Sequence, residues 1–161
     1  MRADQRADRV RVASMEQLWE IMGPQLAQGG SVQLTVSGCS MYPMLRHRED
    51  TVILRENTDL KQGDLILFRR EDGSFVLHRI IRAEEDGWIC CGDNQHVPEP
   101  VGRQQVLAKM TEFIRKGKAY SASHPGYKVY VAVWVWLFPV RRPLLAVRRF
   151  LGGLRRKLIR K

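Results

Sequence analysis

A chain of 161 residues that is 44% apolar and 27% charged has the size of one compact domain with its own core, which excludes a disordered chain and a multidomain assembly. Seven prolines and thirteen glycines without a fixed period exclude collagen-like, solenoid and low-complexity architectures. The net charge of +10 hides an asymmetry: residues 1–112 sum to −3, whereas residues 113–161 carry 13 Lys and Arg and no acid. Such a cationic end calls for an anionic surface, and membrane and nucleic acid both fit that charge.

Three cysteines, Cys39, Cys90 and Cys91, form an odd set without the CxxC spacing of a zinc or redox motif. They are predicted to be reduced thiols, and neither a metal nor a cofactor is expected. The first 19 residues lack the apolar run of a signal peptide, and no stretch of about 20 apolar residues follows. Residence on the cytoplasmic side of the membrane is the expectation.

In chain order, residues 1–30 read as a polar leader followed by a short amphipathic helix. Met15, Leu18, Ile21, Met22 and Leu26 recur at helical spacing, Ser14 suits the N-cap with Gln17 at the capping-box position, and Gly29-Gly30 ends the helix. From residue 31 the period becomes two, with Val32, Leu34 and Val36 alternating against polar neighbours, the mark of a half-buried strand. Further strands are predicted over 51–54, 64–69, 75–83 and 88–91, with a returning strand over 106–115. This small β body spans 31–118, and residues 119–127 read as a linker.

Residues 128–161 change in composition. The stretch 128–138 is apolar and aromatic but about half the length needed to cross a bilayer. Beyond Pro139, basic pairs recur every seven residues at Arg141-Arg142, Arg148-Arg149 and Arg155-Arg156, with Leu144, Val147, Leu151, Leu154 and Leu158 between them. On a helix this segregates a cationic stripe from an apolar one, as in helices that lie in a membrane interface. Trp134 and Trp136 suit the headgroup level. Packing of the aromatic run on the β body is the competing reading. Nucleic acid is not expected, because the basic run lacks interleaved aromatics and a known binding module.

The chemistry centres on SGCSMYPM, which leaves the first strand directly. Gly38 permits a tight exit and Pro43 stiffens the turn, so the Ser40 hydroxyl is held still. Such a hydroxyl needs a base within hydrogen-bond reach to act as a nucleophile. Of the four histidines, His47, His96 and His124 lie in polar stretches and read as solvated. His78 interrupts the strand SFVLHRIIR and reads either as that base or as a satisfied core residue.

The segments SGCSMYPML, QGDLILF, VLHRII and CGDNQHVPEP come in the order and approximate spacing of the boxes of type I signal peptidases. Over residues 31–115 the chain resembles that family and the wider clan that includes LexA-like self-cleaving repressors. Bacterial signal peptidases use a lysine base, whereas the archaeal and eukaryotic endoplasmic-reticulum branch carries histidine at that position. The chain looks like the histidine branch, which implies Ser40 as nucleophile and His78 as base.

The resemblance also matches Asp93 to a family aspartate and leaves Glu99 where the histidine branch has a second aspartate. A glutamate can orient imidazole, but its extra methylene shifts the carboxylate, and Asp93 also reads as a turn-tying residue. For the oxyanion and substrate, the resemblance suggests the Ser40 amide with Ser37, and Met41 and Pro43 beside them.

These observations together predict a mainly β fold: a small signal-peptidase-like β body with an N-terminal helix and a C-terminal amphipathic helical tail. The implied function is a serine endopeptidase that cuts a peptide or precursor protein near the membrane surface. The alternative is a catalytically silent peptidase-like fold that docks peptides at a membrane. Residues 14–30, with Glu16 and Glu20, are too polar for the anchor of a signal peptidase, so ordinary signal-peptide removal fits poorly.

Overall fold

The computed structural model describes residues 15–141 and residue 143. The leader 1–13, the expected N-cap Ser14 and most of the basic helix expected beyond residue 140 lie outside the described residues.

Helix α1 (Met15–Ala27) forms where hydrophobic periodicity predicts it. Its buried Met22 and Leu26 are one turn apart, and Leu18 and Trp19 pack with them on the sheet. Gly29 ends the helix because its φ of +76 is left-handed, which lets the Gly30 N–H reach back to the Gln25 carbonyl at 3.0 Å.

Eight strands follow: β1 (Val32–Thr35), β2 (Thr51–Arg55), β3 (Leu65–Arg69), β4 (Phe75–Glu84), β5 (Gly87–Cys91), β6 (Glu99–Gly102), β7 (Val106–Arg115) and β8 (Lys118–Ser121). They form one antiparallel sheet in the order β1-β2-β7-β3-β4-β5-β6, with β8 also paired to β7. The mainly β expectation therefore holds.

Core packs on both faces of this sheet, and β3 shows why its sequence LILF does not alternate. Leu65 and Leu67 join one buried cluster, with Leu54, Ala108 and Met110, while Ile66 and Phe68 join another, with Ile80, Cys90 and Val101. A strand covered on both sides needs a continuous apolar run. Helix α1 and helix α2 (Pro125–Trp136) cover the first cluster through Trp19, Tyr127 and Tyr130. On β4, strand alternation sends His78 and Ile80 to the second cluster and Arg79 to the first.

Two strands were not predicted. β6 contains Pro100, which argues against a strand in the sheet interior, but among the described residues β6 is the sheet edge and pairs only with β5. β8 lies at the start of the expected linker; it is exposed throughout and carries no alternation to read. Its turn carries the signal instead: Lys116 and Gly117 both have positive φ, 52 and 74, between the paired residues Arg115 and Lys118, the geometry of a type I′ hairpin. His124 then caps α2 by accepting the Gly126 N–H at 3.1 Å. The segment 119–127 is thus folded onto the body. No helix among the described residues is long and apolar enough to cross a membrane.

Candidate active site

The turn after β1 is built to hold Ser40. Val36 before it and Met41, Met44 and Leu45 after it are buried in the core, so the turn is fastened at both ends. Gly38, at φ +93, adopts the left-handed conformation that glycine tolerates best. Its N–H donates to His47 Nδ1 at 2.8 Å, so His47, although exposed, ties the turn rather than standing free in solvent. The Tyr42–Pro43 peptide is cis.

From the other side, the turn after β5 fixes Ser40. The Asn94 N–H donates to the Ser40 carbonyl at 2.7 Å, and Asn94 Nδ2 donates to the Cys39 carbonyl at 3.0 Å. Gly92 permits this approach. A methyl group added there would lie 2.7 Å from the Ser40 carbonyl oxygen and 3.0 Å from Ser40 Cβ. Arg79 pairs with Cys91 across β4 and β5, so Gly92 leaves β5 one residue further on, opposite His78. Ser40 therefore packs against the end of β5, the strand that pairs with β4.

His78 itself is 2% exposed. Its ring meets Phe68 edge-on at 6.1 Å, and its Nδ1 lies 2.8 Å from Glu99 Oε1. Glu99 sits on edge strand β6, where Arg70 grips the same carboxylate through Nε to Oε2 at 2.6 Å and Nη2 to Oε1 at 2.8 Å. This fork fixes both carboxylate oxygens, and the extra methylene of glutamate is spent in reaching across from the edge strand.

Burial lowers the His78 pKa, opposed by the charge and hydrogen bond of Glu99; Arg70 lowers it further and Asp93 raises it. The net shift is downward, so the imidazole is neutral near pH 7. With a carboxylate on Nδ1, the neutral ring carries its proton there and leaves Nε2 as a proton acceptor. For Glu99, burial acts to raise the pKa, but the Arg70 hydrogen bond and the charges of His78 and Arg70 outweigh it and keep the carboxylate ionised.

Asp93 takes a different place from the one the resemblance implies. It is fully buried and pairs with Arg79, Nε to Oδ1 at 2.8 Å and Nη2 to Oδ2 at 2.7 Å, while Tyr130 Oη donates to Oδ2 at 3.1 Å. Arg79 also donates to the Gly63 carbonyl at 2.8 Å and to Tyr127 Oη at 3.1 Å. Asp93 therefore joins β4 to α2 through Arg79 and Tyr130, and of the two acids it is Glu99 that meets the imidazole. Arg79, which the sequence reading passed over, had one signal: a charge in an apolar strand requires a buried partner.

The other site candidates separate. Met41 is 1% exposed and packs in the core beneath the turn. Ser37 is exposed at the exit from β1, and Pro43 is half-buried beside Ser40. All three cysteines are free thiols; burial pushes Cys90 up to about 12 and Cys91 up to about 11, whereas Cys39 is exposed beside Ser40. Among the described residues no three His, Cys, Asp or Glu side chains cluster as a metal ion would need.

Comparison with known families gives a match over residues 14–111 to the family model described as Peptidase S24-like. No curated protein matches the chain.

Proposed function

The chain belongs to the Peptidase S24-like family, and from that premise we propose that it is a serine endopeptidase of the histidine-bearing kind, with Ser40 as nucleophile, His78 as base and Glu99 as the carboxylate that orients it. The observation that carries this reading is the 2.8 Å contact of buried His78 Nδ1 with Glu99 Oε1.

In the reaction, His78 Nε2 takes the Ser40 Oγ proton as Oγ bonds to the scissile carbonyl carbon. The resulting oxyanion is received by the Ser40 backbone N–H, with the Ser37 hydroxyl as a second donor. His78 then gives its proton to the leaving amine, the peptide C–N bond breaks, and an acyl-Ser40 ester remains. Water, deprotonated by His78, attacks the ester and frees the carboxylate product and Oγ–H. Glu99 holds Nδ1–H throughout and stabilises the imidazolium that forms. Arg70 is a positioning residue, since it keeps the Glu99 carboxylate from turning away.

One observation favours the silent peptide-docking fold: among the described residues no hydrogen bond joins Ser40 Oγ to His78. Such bonds are often long without substrate and tighten only in the complex, so the peptidase reading stands ahead. Incubation of the full chain with a peptide library, read as new termini by mass spectrometry, tests it. Cleavage that vanishes in Ser40→Ala and in His78→Ala supports the peptidase; cleavage that survives Ser40→Ala overturns it.

A further inference from the structure

Helix α2 has three faces with three environments. One is clamped to the body: Tyr127, Tyr130 and Trp134 stack in series with ring centroids 6.4 and 5.7 Å apart, and the Arg79 guanidinium lies 5.8 Å from each tyrosine ring. The clamp extends past the helix to Arg141, which is 2% exposed and donates to the Trp134 carbonyl at 2.9 Å and the Gly92 carbonyl at 3.2 Å.

The second face is uncovered among the described residues. Val129, Val133, Trp136 and Val140 are 64%, 49%, 78% and 47% exposed. Their spacing of four, three and four residues makes one apolar stripe that continues past the helix end. The third face borders a groove of about 1030 Å³ between α2 and the sheet. Leu65, Ile81 and Met110 line it from the sheet, and Val131, Val135 and Phe138 from the helix side. Lys61, Arg82, Lys109 and Lys128 also line it, and among the described residues there the one carboxylate, Asp64, is bound to Lys109 at 2.9 Å.

Charge selects the occupant. From residue 113 onward the sequence has no acid, and residues 144–161 carry seven Lys and Arg. The basic residues 144–161 therefore do not complement the lysines of the groove, and the equivalent groove and tail of a second copy carry the same sign of charge. What complements both an apolar stripe and a cationic apolar groove is an amphiphile with a negative head.

We propose that α2 lies in the headgroup layer of an anionic bilayer with Val129, Val133, Trp136 and Val140 toward the acyl chains, and that the groove takes one acyl chain of an anionic phospholipid whose phosphate meets Lys61 and Lys128. This surface is independent of the chemistry at Ser40. Because α2 is tied to Arg79, the neighbour of His78 on β4, docking holds the catalytic strand in one orientation to the bilayer, which suits a membrane-tethered substrate.

The test uses the full chain with vesicles of phosphatidylcholine alone or mixed with phosphatidylglycerol. Wild type should sediment with the mixed vesicles only, and the double variant Val129→Glu, Val133→Glu, at exposed positions outside the groove, should lose at least tenfold in partitioning. Ala132→Trp, which fills the groove from an exposed helix position, should lose the single phosphatidylglycerol adduct that native mass spectrometry detects on wild type after extraction from the vesicles. No binding by wild type, or equal partitioning of the stripe variant, overturns the docking face. An adduct that survives Ala132→Trp, or no adduct on wild type, overturns the groove as a lipid site.

Discussion

His78 titrates under four influences that can be separated. Burial lowers its pKa, Glu99 raises it, Arg70 lowers it and Asp93 raises it. Acylation of Ser40 needs the neutral ring, so its rate should rise with pH through a limb that lies below the roughly 6.5 of an unperturbed histidine. Arg70→Ala removes a repelling cation and should move that limb upward. Glu99→Gln removes the attracting anion and the acceptor of Nδ1–H, so the limb should move downward while the maximal rate falls roughly 10²–10⁴-fold. Stopped-flow or quench acylation across pH checks both signs; limbs that coincide with wild type would contradict the assignment. The same shift affects folding: with a folded-state pKa below the unfolded value, burial of the neutral ring stabilises fully above about pH 6.5, and that contribution is lost as pH falls through the folded-state pKa. Ser40 and His78 stand out in the sequence as candidates because a serine in a glycine-proline turn and a histidine in an apolar strand each break a local pattern. Which of Asp93 and Glu99 meets the imidazole was not legible, because it depends on how β5 and β6 register and on Arg70, which is 29 residues from Glu99 in sequence and reaches it only in the folded sheet.

Among elements, the two turns that flank Ser40 carry the precision of the site. Gly92 is there because the Ser40 carbonyl occupies the space of its missing Cβ. Gly92→Ala should push Ser40 back and cut acylation by roughly 10²-fold, the scale of a displacement near 1 Å, while the His78 imidazole still titrates by NMR near its wild-type pH. A variant that acylates normally would show that this approach is dispensable. The joint between β4 and α2 is built on the buried ion pair of Arg79 with Asp93, which Tyr127 and Tyr130 contact from the helix, and Asp93→Asn leaves the Arg79 charge buried without its carboxylate. That should cost about 3–5 kcal/mol, visible as a lowered denaturation midpoint; a midpoint within about 0.5 kcal/mol of wild type would contradict it. Helix α1 could be read from a period of 3.6 and β1 from a period of two, and five further strands from short runs set off by turn signals. The edge strand β6 hid behind Pro100, and the exposed β8 offered no pattern because no face of it is buried.

For the whole molecule, the division between a slightly acidic body and a cationic end was visible in the sequence, but its physical meaning was not. The apolar run 128–138 reads as either membrane contact or core, and α2 divides it: its tyrosines and Trp134 pack on the body while Val129, Val133 and Trp136 are exposed. Periodicity within the run is masked because nearly every residue is apolar. The central claim nevertheless lies at the site, and site-resolved labelling with a serine-directed phosphonylating probe tests it most directly. The account predicts one adduct, mapped by peptide sequencing to Ser40 and not to the exposed Cys39 beside it, absent from Ser40→Ala and from His78→Ala. A well-folded wild type that stays unlabelled above about pH 6.5, or an adduct that persists in His78→Ala, would contradict it.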